Sequence, residues 1–279
     1  MPRTFNGTTK RLDGGSWFDG LPSMMVVAWY SPSDLSTGAD TGIYRDEMVV
    51  KGIRSDGGAS NLEWSIRQYR TDTVNGPAIQ FFVSSGSALQ AITASYAGSV
   101  SEGDWVCVVG AWDGTSRGVW VSSGVSTTAA TTIASMASSG AGTHDFKVGG
   151  ITNESKGFPG DIGPIAIYES IPSFPTDDYV AQFFHAHPLL VRPDAAACWD
   201  IAGESSPEWD KIGGKTLSLT NAPAKATTSP PIILPRTMLS STFINQYGEI
   251  DVRGNGISIV DGSVTTNLAD GTDFGDVVV

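Results

Sequence analysis

The strongest constraint on this chain is a succession of short apolar runs broken by turn residues at intervals of roughly 8–15 residues. Residues 24–30 (MMVVAWY) are apolar nearly throughout and end at Ser31-Pro32-Ser33-Asp34. Residues 48–53 close at Ser55-Asp56-Gly57-Gly58, and residues 62–69 (LEWSIRQY) alternate apolar and polar. Further runs follow at 78–83, 89–95, 105–112, 117–122, 146–150 and 162–168. Alternation marks a strand with one wet face, whereas a short run that is apolar on every residue marks a strand covered on both. So many short strands at this spacing predict an all-β, antiparallel sandwich of jelly-roll type. The 33 Gly and 15 Pro supply the turns that such a chain needs.

Charge narrows the partners. Against 29 Asp+Glu stand 17 Lys+Arg, for a net charge of −12, so phosphate backbones are repelled and nucleic-acid binding is disfavoured. The two cysteines, Cys107 and Cys198, form no CxxC pair, which excludes a cysteine zinc site and a disulfide framework but leaves a single bridge open. Both lie in apolar runs and are expected to be buried free thiols. No apolar stretch reaches the ~18 residues of a membrane span, and no membrane insertion is expected. Residues 1–15 carry no apolar segment, so no signal peptide is expected either.

Three regions follow from composition. Residues 1–174 hold the strand succession, with a Ser/Thr/Ala/Gly-rich excursion at 126–143 carrying one short strand. Residues 175–225 hold a helix over 178–185, capped by Thr176 or Asp177 and stopped with the help of Pro188, and then a small β appendage around 198–201 and 216–219. Residues 226–279 form a Pro-rich linker and a C-terminal anchoring segment, too short and too poor in aromatics to bury much core alone.

Several pieces of residues 3–170 together resemble the LamG-like, concanavalin A-like lectin and glucanase family. They are the opening Arg3-Thr4-Phe5-Asn6-Gly7, the strand Val27-Ala28-Trp29-Tyr30, and Gly103-Asp104-Trp105-Val106 followed by Gly110-Ala111-Trp112-Asp113-Gly114. Val119-Trp120-Val121-Ser122-Ser123-Gly124, Val148-Gly149-Gly150 and Phe158-Pro159-Gly160-Asp161-Ile162-Gly163 complete the pattern, with Ser123 where the family usually has Asn. The run Pro188-Leu189-Leu190-Val191-Arg192-Pro193, a tryptophan-bearing strand and a Pro-rich exit resemble variants found in tailed phages and prophages. Residues 254–275 resemble the first strands of choice-of-anchor, immunoglobulin-like domains. The resemblance implies a virion surface protein, a head decoration or a fibre or tail-tip component, assembled in the host cytoplasm. It implies other virion proteins and further copies of itself as partners, and host surface polysaccharide as ligand.

The residues offer several sites. Sugar rings stack on exposed aromatics, and Trp17, Phe18, Trp64, Tyr69 and Tyr96 lie on a Gly-rich loop or on mixed strands, so they are the glycan-contact candidates. Trp29, Trp105, Trp112 and Trp120 sit in apolar strands and are expected in the core. The family resemblance implies one Ca²⁺ at a sandwich rim, for which Asp113, Asn153, Glu154 and Asp161 are the oxygen donors on hand. No other cofactor is expected. Glu249-Ile250-Asp251-Val252-Arg253 matches two of three acids of a glucanase strand, with Gly254 where the third belongs. Asp46-Glu47 and Glu102/Asp104 read as solvated turn carboxylates, and His185-Ala186-His187 has a spacing that does not share a helix face. The expectation is a non-catalytic carbohydrate-binding module. The alternatives are a purely structural virion stabiliser or oligomerisation element, and a glycan-cleaving enzyme.

Overall fold

The computed structural model describes residues 2–35, 44–52, 62–70, 77–84, 89–95, 100–122, 131–132, 145–151, 157–201, 207–232, 250–252, 257–260 and 263–266. In chain order the strands are β1 (Arg3–Asn6), β2 (Arg11–Asp13), β3 (Met24–Pro32), β4 (Tyr44–Gly52), β5 (Leu62–Arg70), β6 (Pro77–Ser84), β7 (Leu89–Ser95), β8 (Val106–Trp112), β9 (Ser116–Val121), β10 (Thr131–Thr132), β11 (Phe146–Val148) and β12 (Pro159–Tyr168). Helix α1 (Asp177–Ala181), a 3₁₀ turn (Gln182–Phe184) and helix α2 (Pro188–Val191) follow. Then come β13 (Ala197–Trp199), β14 (Glu208–Trp209), β15 (Thr216–Thr220) and β16 (Ala224–Lys225).

These strands build two antiparallel sheets, as the sequence predicts. The first runs β10-β9-β8-β3-β12-β1-β16, with β13 pairing β12 beyond the reach of β1. The second runs β14-β15-β2-β11-β4-β5-β6-β7. Alternation along β3 explains its unbroken apolar sequence: Met24, Val26, Ala28 and Tyr30 enter the core between the sheets. Met25, Val27 and Trp29 point the other way, into a second cluster beneath the helices. β8 divides in the same manner, Val106, Val108 and Trp112 inward and Cys107, Val109 and Ala111 outward. Gly110 interrupts that row because a Cβ there would stand 2.6 Å from the Phe81 ring of the facing sheet.

The strands drawn from sequence as an appendage are woven into the sandwich. β13 pairs with β12, β15 with β2 and β16 with β1, so residues after the helices extend both sheets. Trp199 enters the main core, stacked on Phe146 at 5.4 Å and on Trp17 at 6.2 Å. The Pro-rich exit is also held: Ala226 N–H donates to the Pro2 carbonyl at 2.7 Å, and Thr228 Oγ1 accepts from Trp105 Nε1 at 3.0 Å.

The single helix expected over 178–185 is an α-turn and a 3₁₀ turn, with Thr176 Oγ1 accepting from Tyr179 N–H at 3.4 Å. Pro188 occupies the first turn of α2, where its missing N–H costs nothing, rather than merely ending what precedes it.

The chain forms two compact units, Met1–Ile232 and Ile233–Val279. In the second unit, strands β17 (Ile250–Val252), β18 (Ile257–Val260) and β19 (Ser263–Thr266) form a small antiparallel sheet, with Asp251 opposite Ser258. Most of the 126–143 excursion and Glu249 lie outside the described residues.

Candidate functional site

Among the described residues, the expected stacking platform does not form. Phe18 and Trp64 are 3% and 0% exposed and pack against Phe146 at 5.5 and 5.9 Å, so neither ring face is open to a sugar. Trp17 is half-buried against Trp199. The side chain of Tyr69, and Tyr96 altogether, lie outside the described residues. The cause is register. Trp64 alternates with Ser65 and Arg67 on β5, and it is the Trp64 side that faces the opposite sheet. Trp29, Trp112 and Trp120 are core as expected, while Trp105 is half-buried at the exit of the chain. The tryptophan that does stand open is Trp209 on the edge strand β14, 60% exposed, which sequence patterning did not single out.

The Ca²⁺ donors are not brought together either. Asp113 follows Trp112, which pairs Met24, while Asp161 pairs Ser31, so they lie at opposite ends of β3. Seven residue steps along β3 separate those pairing positions, roughly 23 Å at ~3.3 Å per residue. Asp113 Oδ1 instead closes its own turn, accepting from Thr115 N–H at 2.8 Å and Ser116 N–H at 2.6 Å. Asp161 Oδ1 accepts from Thr4 Oγ1 at 2.5 Å. One ion cannot bridge the two, and Asn153 and Glu154 lie outside the described residues.

Among the described residues, a different trio holds donor atoms within 4.8 Å of one another: His187, Cys198 and Asp200. The His187 and Asp200 atoms are already engaged. His187 Nδ1 accepts from Leu189 N–H at 3.3 Å, which leaves Nε2 to carry the proton it shares with Asp200 Oδ1 at 2.9 Å. Lys211 Nζ sits 3.1 Å from the other Asp200 oxygen, and burial pushes the Cys198 thiol up. We read the His187–Asp200 pair as a hydrogen-bonded joint between α2 and the end of β13, with the buried Cys198 thiol packed beside it.

The carboxylates do not form a catalytic pair. Asp46 and Glu47 are adjacent on β4, so they face opposite sides: Asp46 opposite Gln68, Glu47 opposite Arg67. Glu102 Oε1 accepts from Leu35 N–H at 3.0 Å, joining two loops, and Asp104 Oδ2 accepts from Ser101 N–H at 2.8 Å, closing its own turn.

A built concavity does exist on the outer side of the first sheet. A half-open groove of about 410 Å³ is lined by Met25, Ile171, Phe174, Tyr179, Arg192 and Asp194, with the turn 172–176 forming its rim. Each wall has a local cause. Phe174 stands between two prolines in the turn Pro172-Ser173-Phe174-Pro175 and packs on Trp120 at 5.7 Å. Trp120 Nε1 donates to Asp177 Oδ1 at 2.8 Å, which fixes the start of α1 against the sheet. Tyr179 meets Phe183 edge-on at 5.5 Å, and Phe183 in turn meets Tyr168 at 6.3 Å. The buried Tyr168 hydroxyl lies 3.0 Å from the Arg192 carbonyl and 3.2 Å from that of Pro188, holding α2 in place.

The charged edge is equally fixed. Arg192 Nε donates to Asp194 Oδ1 at 2.7 Å and Nη2 to Oδ2 at 3.0 Å, a two-pronged clamp. Its guanidinium lies 4.8 Å from the centre of the Tyr168 ring. The clamp holds the Asp194 carboxyl below the usual carboxylate range, while burial raises Tyr179. The groove thus combines partly exposed aromatic rings, exposed hydroxyls of Ser173 and Thr176, and an immobilised carboxylate. That composition suits a small polar ring compound with one apolar face. Sequence reasoning missed Phe174, Tyr179, Arg192 and Asp194 because they lie in the turn and helix after the last strand of the recognised pattern.

No family model matches the chain, and no curated protein matches it. Solved structures do. A candidate carbohydrate-binding protein from Bacteroides ovatus superposes with a TM-score of 0.54 at 13% identity, over 84% of this chain and 62% of that one. The carbohydrate-binding module of the Ruminococcus gnavus intramolecular trans-sialidase, solved with α2,3-sialyllactose, gives a TM-score of 0.47 at 12% identity over 66% of this chain and 95% of the module. Tailspike protein 2 of an Escherichia coli O157:H7 bacteriophage gives 0.44 at 13% identity, over 62% of this chain and 22% of the tailspike. At these identities the likeness defines the fold: a jelly roll of the concanavalin A-like lectin type.

Proposed function

We propose that the chain is a non-catalytic carbohydrate-binding jelly roll at the surface of a tailed-phage particle, held there by its C-terminal segment. The observation that carries the binding reading is the groove of Phe174, Tyr179, Arg192 and Asp194, whose rings and carboxylate are locked by neighbours before any ligand arrives. Preorganisation of this kind reduces the ordering cost of binding. Glu47 faces the Arg67 guanidinium at 3.6 Å rather than a partner carboxylate, which favours binding over cleavage. The virion reading rests on the sequence resemblance of the segment after the jelly roll. The separation of the chain at Ile232 supplies a segment suited to attachment.

The test is calorimetric titration of the full chain with bacterial surface polysaccharides, with and without EDTA, alongside an assay for new reducing ends. Binding without cleavage, lost in Tyr179→Ala with an unchanged melting profile, is the expected result. New reducing ends would make the protein an enzyme. No heat even from protein multimerised on beads would turn the reading to a purely structural virion stabiliser. A chain ending at Ile232 should stay folded and fail to join particles; normal incorporation would remove the attachment role from the C-terminal segment.

A further inference from the structure

We infer that the groove selects neutral sugars over anionic ones, accepting a sugar hydroxyl on the open flank of the Asp194 carboxylate while a ring face rests on Tyr179 or Phe174. The inference rests on the carbohydrate reading above and specifies the ligand class of the same site.

The argument turns on which member of the Arg192–Asp194 pair faces outward. An arginine in a sugar groove is ordinarily the group that receives a ligand's carboxylate. Here the Arg192 side chain is 14% exposed and that of Asp194 is 66% exposed. Arg192 donates twice to Asp194, gives a further bond to the Ser170 carbonyl at 3.0 Å, and lays its face on Tyr168. It stands behind the carboxylate as a support. The outward charge is negative.

Each carboxylate oxygen has about two acceptor sites, and the clamp uses one on each. The remaining sites point outward on opposite flanks of the carboxylate, and the flank turned to the groove accepts from a sugar hydroxyl. The acidic first turn of α1, with Asp178 exposed and Asp177 tied to Trp120, adds negative charge to the same rim. A net charge of −12 adds to it at longer range. A sialic or uronic acid would bring its carboxylate against this edge without a free cation to receive it. The cavity of about 410 Å³ lies near the lower end of small-molecule sites and suits one or two sugar rings.

The experiment is titration of the full chain with lactose, maltose and N-acetyllactosamine, against 3′-sialyllactose and a glucuronate-containing disaccharide, with each sugar also displayed on a multivalent carrier. The neutral probes should bind at least roughly tenfold more tightly than the anionic ones, a difference that narrows as salt rises. Asp194→Asn keeps the shape and removes the charge. It should weaken the neutral probes and abolish the discrimination against anionic ones, with the fold checked by thermal melting. Equal or tighter binding of the anionic probes, or an Asp194→Asn variant with unchanged discrimination, overturns the charge rule while leaving the carbohydrate reading in place. Failure of every probe, neutral and anionic, on the multivalent carrier removes both.

Discussion

Arg3 and Glu208 form a buried ion pair, Nε to Oε1 at 2.5 Å, between the first strand of one sheet and the edge strand of the other. The two residues are 205 positions apart and only 5% and 4% exposed. Arg3 Nη1 also donates to the Pro223 carbonyl at 2.9 Å. One side chain therefore ties the opening of the chain to the segment that closes both sheets.

Arg3→Ala should cost about 3–5 kcal/mol, because it removes the cation that compensates the buried Glu208 charge. Replacing both residues with apolar ones, Arg3→Met with Glu208→Leu, should recover most of that loss, since the desolvation penalty is removed with the charges. Urea unfolding of the single and double variants measures the difference. A double variant as unstable as the single would show that the bond to Pro223 matters more than the pair.

Trp199 carries the same argument into the core. It stacks between Trp17 and Phe146, and its indole N–H donates to the Lys215 carbonyl at 3.1 Å. Trp199→Ala should cost about 3–5 kcal/mol by leaving a cavity in the centre of the sandwich. A chain truncated after residue 174 loses this ring along with β13, β15 and β16, and should expose apolar surface and bind a hydrophobic dye. A truncated chain with a sharp melting transition would refute the view that these strands complete the fold.

That dependence marks the limit of what could be read from sequence. Unbroken apolar runs identify β3, β8 and β12, whose residues are apolar on both faces because a core lies on each side. The alternation of β5 also marks its inward face, since Trp64 and Ile66 form the apolar row against Ser65 and Arg67 and both enter the core. Reading Trp64 as a sugar contact overlooked that row. Short strands such as β14 and β16, two residues each, carry no periodicity at all. They exist because tertiary partners, Arg3 among them, hold them at the sheet edges. The groove was invisible for a related reason. Arg192 and Asp194 are a short charged pair between prolines and alanines in sequence, and only the folding of α2 onto Tyr168 makes them a wall.

The two thiols should behave as inert core groups. Cys107 and Cys198 are free and buried, and burial pushes both well above the usual thiol range. In the native protein neither should react with a disulfide-exchange reagent over minutes at neutral pH, and both should react at once in denaturant. One thiol titrating quickly in the folded state would place a solvent path to its strand. Fewer than two in denaturant would reveal a bridge that the buried free pair does not allow.

Glu47 supplies a pH signature. It is 1% exposed, its oxygens lack a hydrogen bond of normal length, and the nearest cation is Arg67 Nη1 at 3.6 Å. Burial raises its carboxyl, with Arg67 and Ser65 drawing it only partly back. A carboxyl raised on folding binds its proton more tightly in the native state than in the unfolded chain. Its contribution is complete below the ordinary carboxylate range and is lost as pH rises through the native value. Glu47→Gln keeps the shape and removes the titration. The variant should be as stable as the parent in mild acid and more stable at neutral pH, the gap opening from the ordinary carboxylate range upward. Thermal melts across pH 4–8 on both proteins read it directly, with the pH range set by ordinary carboxylate titration. A gap that instead widens toward acid would mean that Glu47 is held charged by Arg67, reversing the balance between burial and pairing at this strand.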